Sequence, residues 1–146
     1  MPIHSRVNVL PLEVAAYIAG LIDGEGTITL TRLHASEMRR LVVSIASTEI
    51  VLLRYALHEV GAGKITRKKV SSEKHTPSFC FAITSRQALV LLRQIAPYLR
   101  SYKRQRAELA IGSYERLTPR NGKYSDHLLL ERREFENDLL SLKPNF

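Results

Sequence analysis

Apolar positions along the chain switch repeatedly between a helical and a strand spacing. From Glu13 to Asp23, the residues Val14, Ile18, Leu21 and Ile22 recur at three- and four-residue intervals, which predicts an amphipathic helix. Pro11 suits its opening turn, and Gly24 and Gly26 suit its end. Thr27 to Leu33 then alternates hydroxyls with Ile28 and Leu30, and Arg40 to Ala46 alternates Leu41, Val43 and Ile45 with more polar residues; both read as half-buried strands. A second helix is predicted from Glu49 to Val60, with Ser47 or Thr48 as its N-cap and Gly61-Ala62-Gly63 as its stop. Strands over Lys64–Lys69 and Phe79–Ile83 follow, and then a helix over Arg86–Ala96 with Thr84 and Gln87 as a capping box and Pro97 at its close. Two further helices cover Tyr102–Arg116 and Ser125–Leu142. Strands of this pattern form an antiparallel sheet with helices on its apolar face, which leaves the other face open.

Composition adds a partner class. The chain of 146 residues suits one domain, 1–146, and its 45% apolar and 25% charged residues are those of an ordinary globular protein. Lys and Arg number 22 against 14 Asp and Glu, a net charge of +8 that points to a polyanion. A generic basic surface is the competing reading. The single cysteine, Cys80, excludes a disulfide framework and a cysteine-based zinc site. The first twelve residues show no signal-type apolar run and no segment has the length of a membrane span, so an intracellular location with no membrane partner is expected.

The stretch Tyr17-Ile18-Ala19-Gly20-Leu21-Ile22-Asp23-Gly24-Glu25-Gly26 carries the candidate chemistry. Ala16, Gly20 and Gly24 recur every four residues and form a small-residue stripe that another helix backbone can approach closely. The glycines allow positive φ and bare backbone, so Glu25 can stand at the helix tip beside the Gly24 carbonyl. A carboxylate and a carbonyl oxygen form part of a shell that Mg²⁺ accepts, with water and phosphate completing it. The plain alternative is a helix end with two solvated acids.

Ile18 to Gly26 resembles the nine-residue signature of the LAGLIDADG homing endonucleases, with matches at the Ala, Gly, Leu, Ile, first Asp and last Gly positions. It departs at Ile18, at Gly24 and at Glu25, which stands for the second acid. The resemblance spans about Pro11 to Leu109 and implies an α+β fold, an αββαββα core (about 11–116) with a four-stranded antiparallel DNA-binding sheet. Residues 117–146 would be a helical extension.

With one motif per chain, the resemblance implies a homodimer packed through Ala16, Gly20 and Gly24. Glu25 and its mate would then bind Mg²⁺, or another divalent cation, at the scissile phosphates of double-stranded DNA. The implied product is a double-strand break with short 3′ overhangs in a long, near-palindromic site, made by an intron-encoded enzyme. Asp23 is expected to be structural. Lys103 aligns with a basic residue that the family places near the hydrolytic water, and Ser47 or Thr48 stands where a family glutamine has no counterpart. On the sheet, parity selects Thr27, Thr29, Thr31, Arg40, Ser44, Lys64, Thr66 and Lys68 to face the major groove. Arg32, Arg39, Arg67, Lys69, Lys74 and His75 are expected to meet phosphates. The charge-mixed segment Glu131–Glu136 reads as a solvated helix face. Two other readings stand beside the nuclease: a maturase that binds intron RNA, and a DNA-binding regulator that does not cut.

Overall fold

The computed structural model describes residues 6–69 and 76–144. Its elements are α1 (Leu12–Glu25), β1 (Gly26–Thr31), β2 (Arg40–Ser47), α2 (Ile50–Val60), β3 (Lys64–Arg67), β4 (Phe79–Thr84), α3 (Ser85–Ile95), α4 (Lys103–Ser113) and α5 (Asp126–Ser141), with a 3₁₀ turn over Ala96–Tyr98. All three pairings are antiparallel, and the sheet order is β1-β2-β4-β3. The fold is therefore the α+β arrangement expected from the alternation of apolar spacings.

Period two decides which face is core. Ile28 and Leu30 of β1, Leu41, Val43 and Ile45 of β2, and Phe81 and Ile83 of β4 are all buried. Ile18 and Ile22 of α1, Leu53 and Ala56 of α2, and Leu89 and Leu92 of α3 belong to the same core. Each such aliphatic or aromatic side chain contributes about 1.5–3 kcal/mol when withdrawn from water, so this one face dominates the stability of the sheet.

Several local expectations fail for identifiable reasons. α1 does not stop at Gly24 but runs through it to Glu25, and neither Gly24 nor Gly26 has a positive φ. Gly26 is needed for space: a Cβ there would lie 2.7 Å from the Ile22 Cα, because β1 turns back across the helix it has just left. β1 ends at Thr31, two residues early, where its pairing with Arg40 ends. Ser47 and Thr48 are not the N-cap of α2; that position is Glu49, whose amide donates to Ser47 Oγ at 2.9 Å. Thr84 makes no side-chain capping bond to α3, and Ser85 after it is held at φ +55°. At the other end of α2, Gly61 takes φ +75° and closes the helix as its sequence suggests.

The C-terminal helices are fastened to the sheet by buried charge. Arg106 of α4 donates to the carbonyls of Ile28 on β1, Leu140 and Leu142, capping the backbone of an edge strand. Arg132 of α5 is 1% exposed, bonds Glu136, the Leu117 carbonyl and Thr118 Oγ1, and sits over the Tyr114 and Phe135 rings. The segment Glu131–Glu136 is thus not a solvated face, because two of its charges, Arg132 and Glu136, are buried against each other and the core. Among the described residues, no helix is long and apolar enough to cross a membrane.

Candidate active site and nucleic-acid interface

The two acids of the signature, two residues apart, have opposite surroundings. Asp23 turns inward: its carboxylate accepts from the Arg100 amide at 2.8 Å, the Ser101 amide at 3.2 Å and Ser101 Oγ at 2.6 Å. Burial alone would raise its pKa, but the Ser101 hydroxyl, the two amides and the Lys103 charge outweigh it and hold the carboxyl below its ordinary range. Asp23 is structural, as expected. Glu25 is exposed at the end of α1. It lines an open cleft with Ala46, Ser47, Thr48, Glu49, Leu52 and Ser78, so Ser47 and Glu25 share one cleft. Glu49 was not foreseen here, since its position read only as the opening of a helix.

Lys103 comes to this place from behind. Its Nζ donates at 2.9 Å to the carbonyls of both Ile22, which also accepts from the Gly26 amide, and Asp23, one of those that the end of a helix leaves without an intrahelical partner. Partial burial lowers its pKa, and the nearby Asp23 and Glu25 charges act in the opposite direction. Asp23 holds the loop before α4 and Lys103 at the start of α4 holds the end of α1, a reciprocal clasp beneath Glu25. Two of the three ammonium donors are committed to the backbone, which gives Lys103 a fastening role.

The rest of α1 presents a bare side. Ala16, Gly20 and Gly24 are exposed, and a Cβ at Gly20 or Gly24 would meet nothing within 4 Å. The core stripe beside it is as expected at Val14, Ile18 and Ile22, with Leu21 half-buried.

The open face of the sheet follows from the register. Thr27, Thr29 and Thr31 pair with Ser44, Val42 and Arg40; Val42, Ser44 and Ala46 pair with Thr84, Ala82 and Cys80; and Lys64 and Thr66 lie opposite Ala82 and Cys80. Every strand residue in the parity-selected set is on this face. Lys68 lies just past β3, where its amide continues the ladder to the Ser78 carbonyl. Val42, which the strand alternation sets opposite Leu41, Val43 and Ile45, also belongs to the face, as do Ala46, Cys80, Ala82 and Thr84, which the alternation of Phe79, Phe81 and Ile83 along β4 could have found. Arg32, Arg67 and Lys69 are exposed at the margins. Arg39 is drawn toward the helical side, where Glu136 of α5 pairs with its Nε at 3.3 Å. Lys74 and His75 lie outside the described residues.

The strand positions of the open face include no acid, and among the described residues no carboxylate pairs with Arg32, Arg40, Lys64, Arg67, Lys68 or Lys69. On the helical side some cations are paired, Arg93 with Glu115, Arg104 with Glu108 and Arg116 with Glu131, whereas Arg54 and Arg133 make no ion pair among the described residues. Among the described residues no group of three or more His, Cys, Asp or Glu could hold a metal, so Glu25 and the Gly24 carbonyl form at most part of a shell. Their hard oxygens suit a Mg²⁺-like cation whose remaining ligands come from water and phosphate.

No protein-family model and no curated protein matches the sequence. Solved structures do match. The homing endonuclease I-CvuI in complex with its target aligns at a TM-score of 0.73 over 92% of this chain and 85% of that one, at 17% identity. The archaeal intron-encoded homing endonuclease I-Vdi141I with DNA aligns at 0.66 over 90% and 85%, at 15% identity. The LAGLIDADG meganuclease I-AabMI bound to uncleaved DNA aligns at 0.65 over 90% of this chain but only 46% of that one, at 20% identity. The chain has the fold of the LAGLIDADG homing endonucleases, and its signature residues stand at the end of the helix that the fold exposes.

Proposed function

We propose that the protein is a site-specific, divalent-cation-dependent DNA endonuclease that works as a homodimer. The observation that carries the reading is the position of Glu25, an exposed carboxylate at the tip of a bare small-residue helix stripe, beside a basic sheet face whose strands carry no acid. A second copy packed on Ala16, Gly20 and Gly24 would bring a second Glu25 to the first. The coverage of I-AabMI supports this, since two copies of the present chain match that one in length. These neighbours are complexes with DNA, and the two I-CvuI complexes were formed in the presence of Ca or Mg.

In this reading the chain does four things. The open face lies along the major groove, where Arg40, Lys64 and the threonine hydroxyls address base edges and the marginal cations address phosphates. Glu25 and the Gly24 carbonyl hold the cation, which when bound supplies charge neutralisation and water activation at the phosphodiester. Ser47 holds water in the cleft that it shares with Glu25. Asp23 and Lys103 keep the end of α1 in one place, so that the carboxylate is preorganised. Cleavage with short 3′ overhangs at a near-palindromic site, and an origin within an intron, belong to the same proposal.

The test is incubation of the purified protein with Mg²⁺ and a library of duplexes, followed by end sequencing. Double-strand cuts that vanish in Glu25→Gln while duplex binding persists support the enzyme. Binding to structured RNA with no cut in any duplex would overturn it and favour the maturase.

A further inference from the structure

Arg40 is the strand cation on the recognition face at the outer end of β2, and the backbone on both sides of it is held from behind. Arg132 donates through its NH2 nitrogen to the Arg39 carbonyl, and the Leu41 amide donates to Tyr114 Oη at 3.4 Å. β4 reaches β2 only as far as Val42 opposite Thr84, so the Leu41 amide lies just past the end of that ladder and finds the phenol instead. Glu136 completes the arrangement: one oxygen accepts from Arg132 at 3.1 Å and the other pairs with Arg39 at 3.3 Å. Of the two adjacent arginines, one is thereby drawn to the helix and the other is left on the open face. Tyr114 and Arg132 are each 1% exposed, so neither can touch a ligand on the sheet.

We propose that Tyr114 and Arg132 are specificity-positioning residues, which set where the Arg40 side chain enters the groove by holding the carbonyl before it and the amide after it. This rests on the reading of the open face as a DNA-recognition surface. A bidentate guanidinium discriminates between bases only when its approach is fixed, and sub-ångström freedom at its Cα blurs that choice. The C-terminal helices thus take part in target choice without meeting the target.

The experiment selects bound sequences from a randomised duplex pool, in Ca²⁺, with the wild-type chain and with Arg40→Ala, Tyr114→Phe and Arg132→Lys, each checked for folding by circular dichroism. Wild type should enrich a motif, and Arg40→Ala should lose about 5- to 150-fold of preference at one position per half-site. Tyr114→Phe removes one hydroxyl and should lower preference at that same position by about three- to ten-fold, with other positions unchanged. Arg132→Lys, which keeps the charge, should act at the same position if Tyr114→Phe fails to fold. Arg40→Ala with Tyr114→Phe should lose no more there than Arg40→Ala alone. An unchanged profile in both Tyr114→Phe and Arg132→Lys, or an even flattening of all positions, overturns the proposal. So does an Arg40→Ala profile identical to wild type. If wild type enriches no sequence, the DNA reading itself has failed, an outcome distinct from these.

Discussion

The end of α1 and the seat of α5 both hold ionised side chains, and they use them oppositely. Beneath α5, Arg132 and Glu136 are enclosed, with backbone carbonyls, the Thr118 hydroxyl and countercharge on the Arg132 nitrogens, and Arg39 pairs with Glu136 from the margin. At the end of α1, the part-buried Asp23 and Lys103 are likewise tied to backbone and hydroxyl groups, but Glu25 beyond them is open to solvent. A buried charge must be paired, because its desolvation is otherwise uncompensated; an outward-facing one can await a ligand. The contrast separates charges that build the fold from those that can act outside it.

The largest expected effect lies at the open charge. Glu25→Gln should lower duplex cleavage by about a thousand-fold or more, the scale on which losing a preorganised electrostatic group acts, with an unchanged melting temperature. Gel assays and a thermal scan measure both; a large fall in melting temperature would place Glu25 with the structural charges.

Next comes the enclosed pair. Arg132→Met leaves Glu136 buried without its main partner and should cost about 3–5 kcal/mol in urea unfolding. The double variant Arg132→Met with Glu136→Leu should recover much of it. A loss below about 1 kcal/mol in the single variant, the scale of an exposed pair, would mean that the network is solvated after all.

Asp23→Asn should cost about 1.5–3 kcal/mol at neutral pH, the scale for hydrogen bonds to a charged group. Because the folded pKa lies below the ordinary 3.8, the unfolded chain binds more protons in that interval. The carboxylate's stabilisation is therefore complete above pH 3.8 and is lost as pH falls from there through the folded pKa. Denaturation curves of the two forms should converge across that window, and parallel curves would show that Asp23 is not ionised in its clasp.

The smallest effect is at the bare stripe. Gly20→Ala meets no atom within the chain and should stabilise an isolated subunit by up to about 1 kcal/mol through helix propensity. It should weaken self-association measured by sedimentation, the reverse sign. Association equal to wild type would remove the stripe from the interface.

Much of this was legible in the residues alone. The periods of Val14-Ile18-Ile22, Leu41-Val43-Ile45 and Phe79-Phe81-Ile83 define helix and strand locally, so the elements, their order and the polar face of β1 and β2 follow from sequence. The signature also distinguished a structural Asp23 from an outward Glu25. Partners distant in sequence were not legible. Arg39 looks like any loop cation until Glu136, ninety-seven residues on, is folded against it. Arg132 looks like one charge in a mixed face until its side chain is found 1% exposed. Lys103 reads as a free ammonium until the carbonyls of Ile22 and Asp23 close on it. Local spacing encodes which side of an element is apolar, because that depends on a residue's own backbone geometry. Which charge meets which carbonyl depends on how helices and sheet are laid together, and only the packed chain decides it.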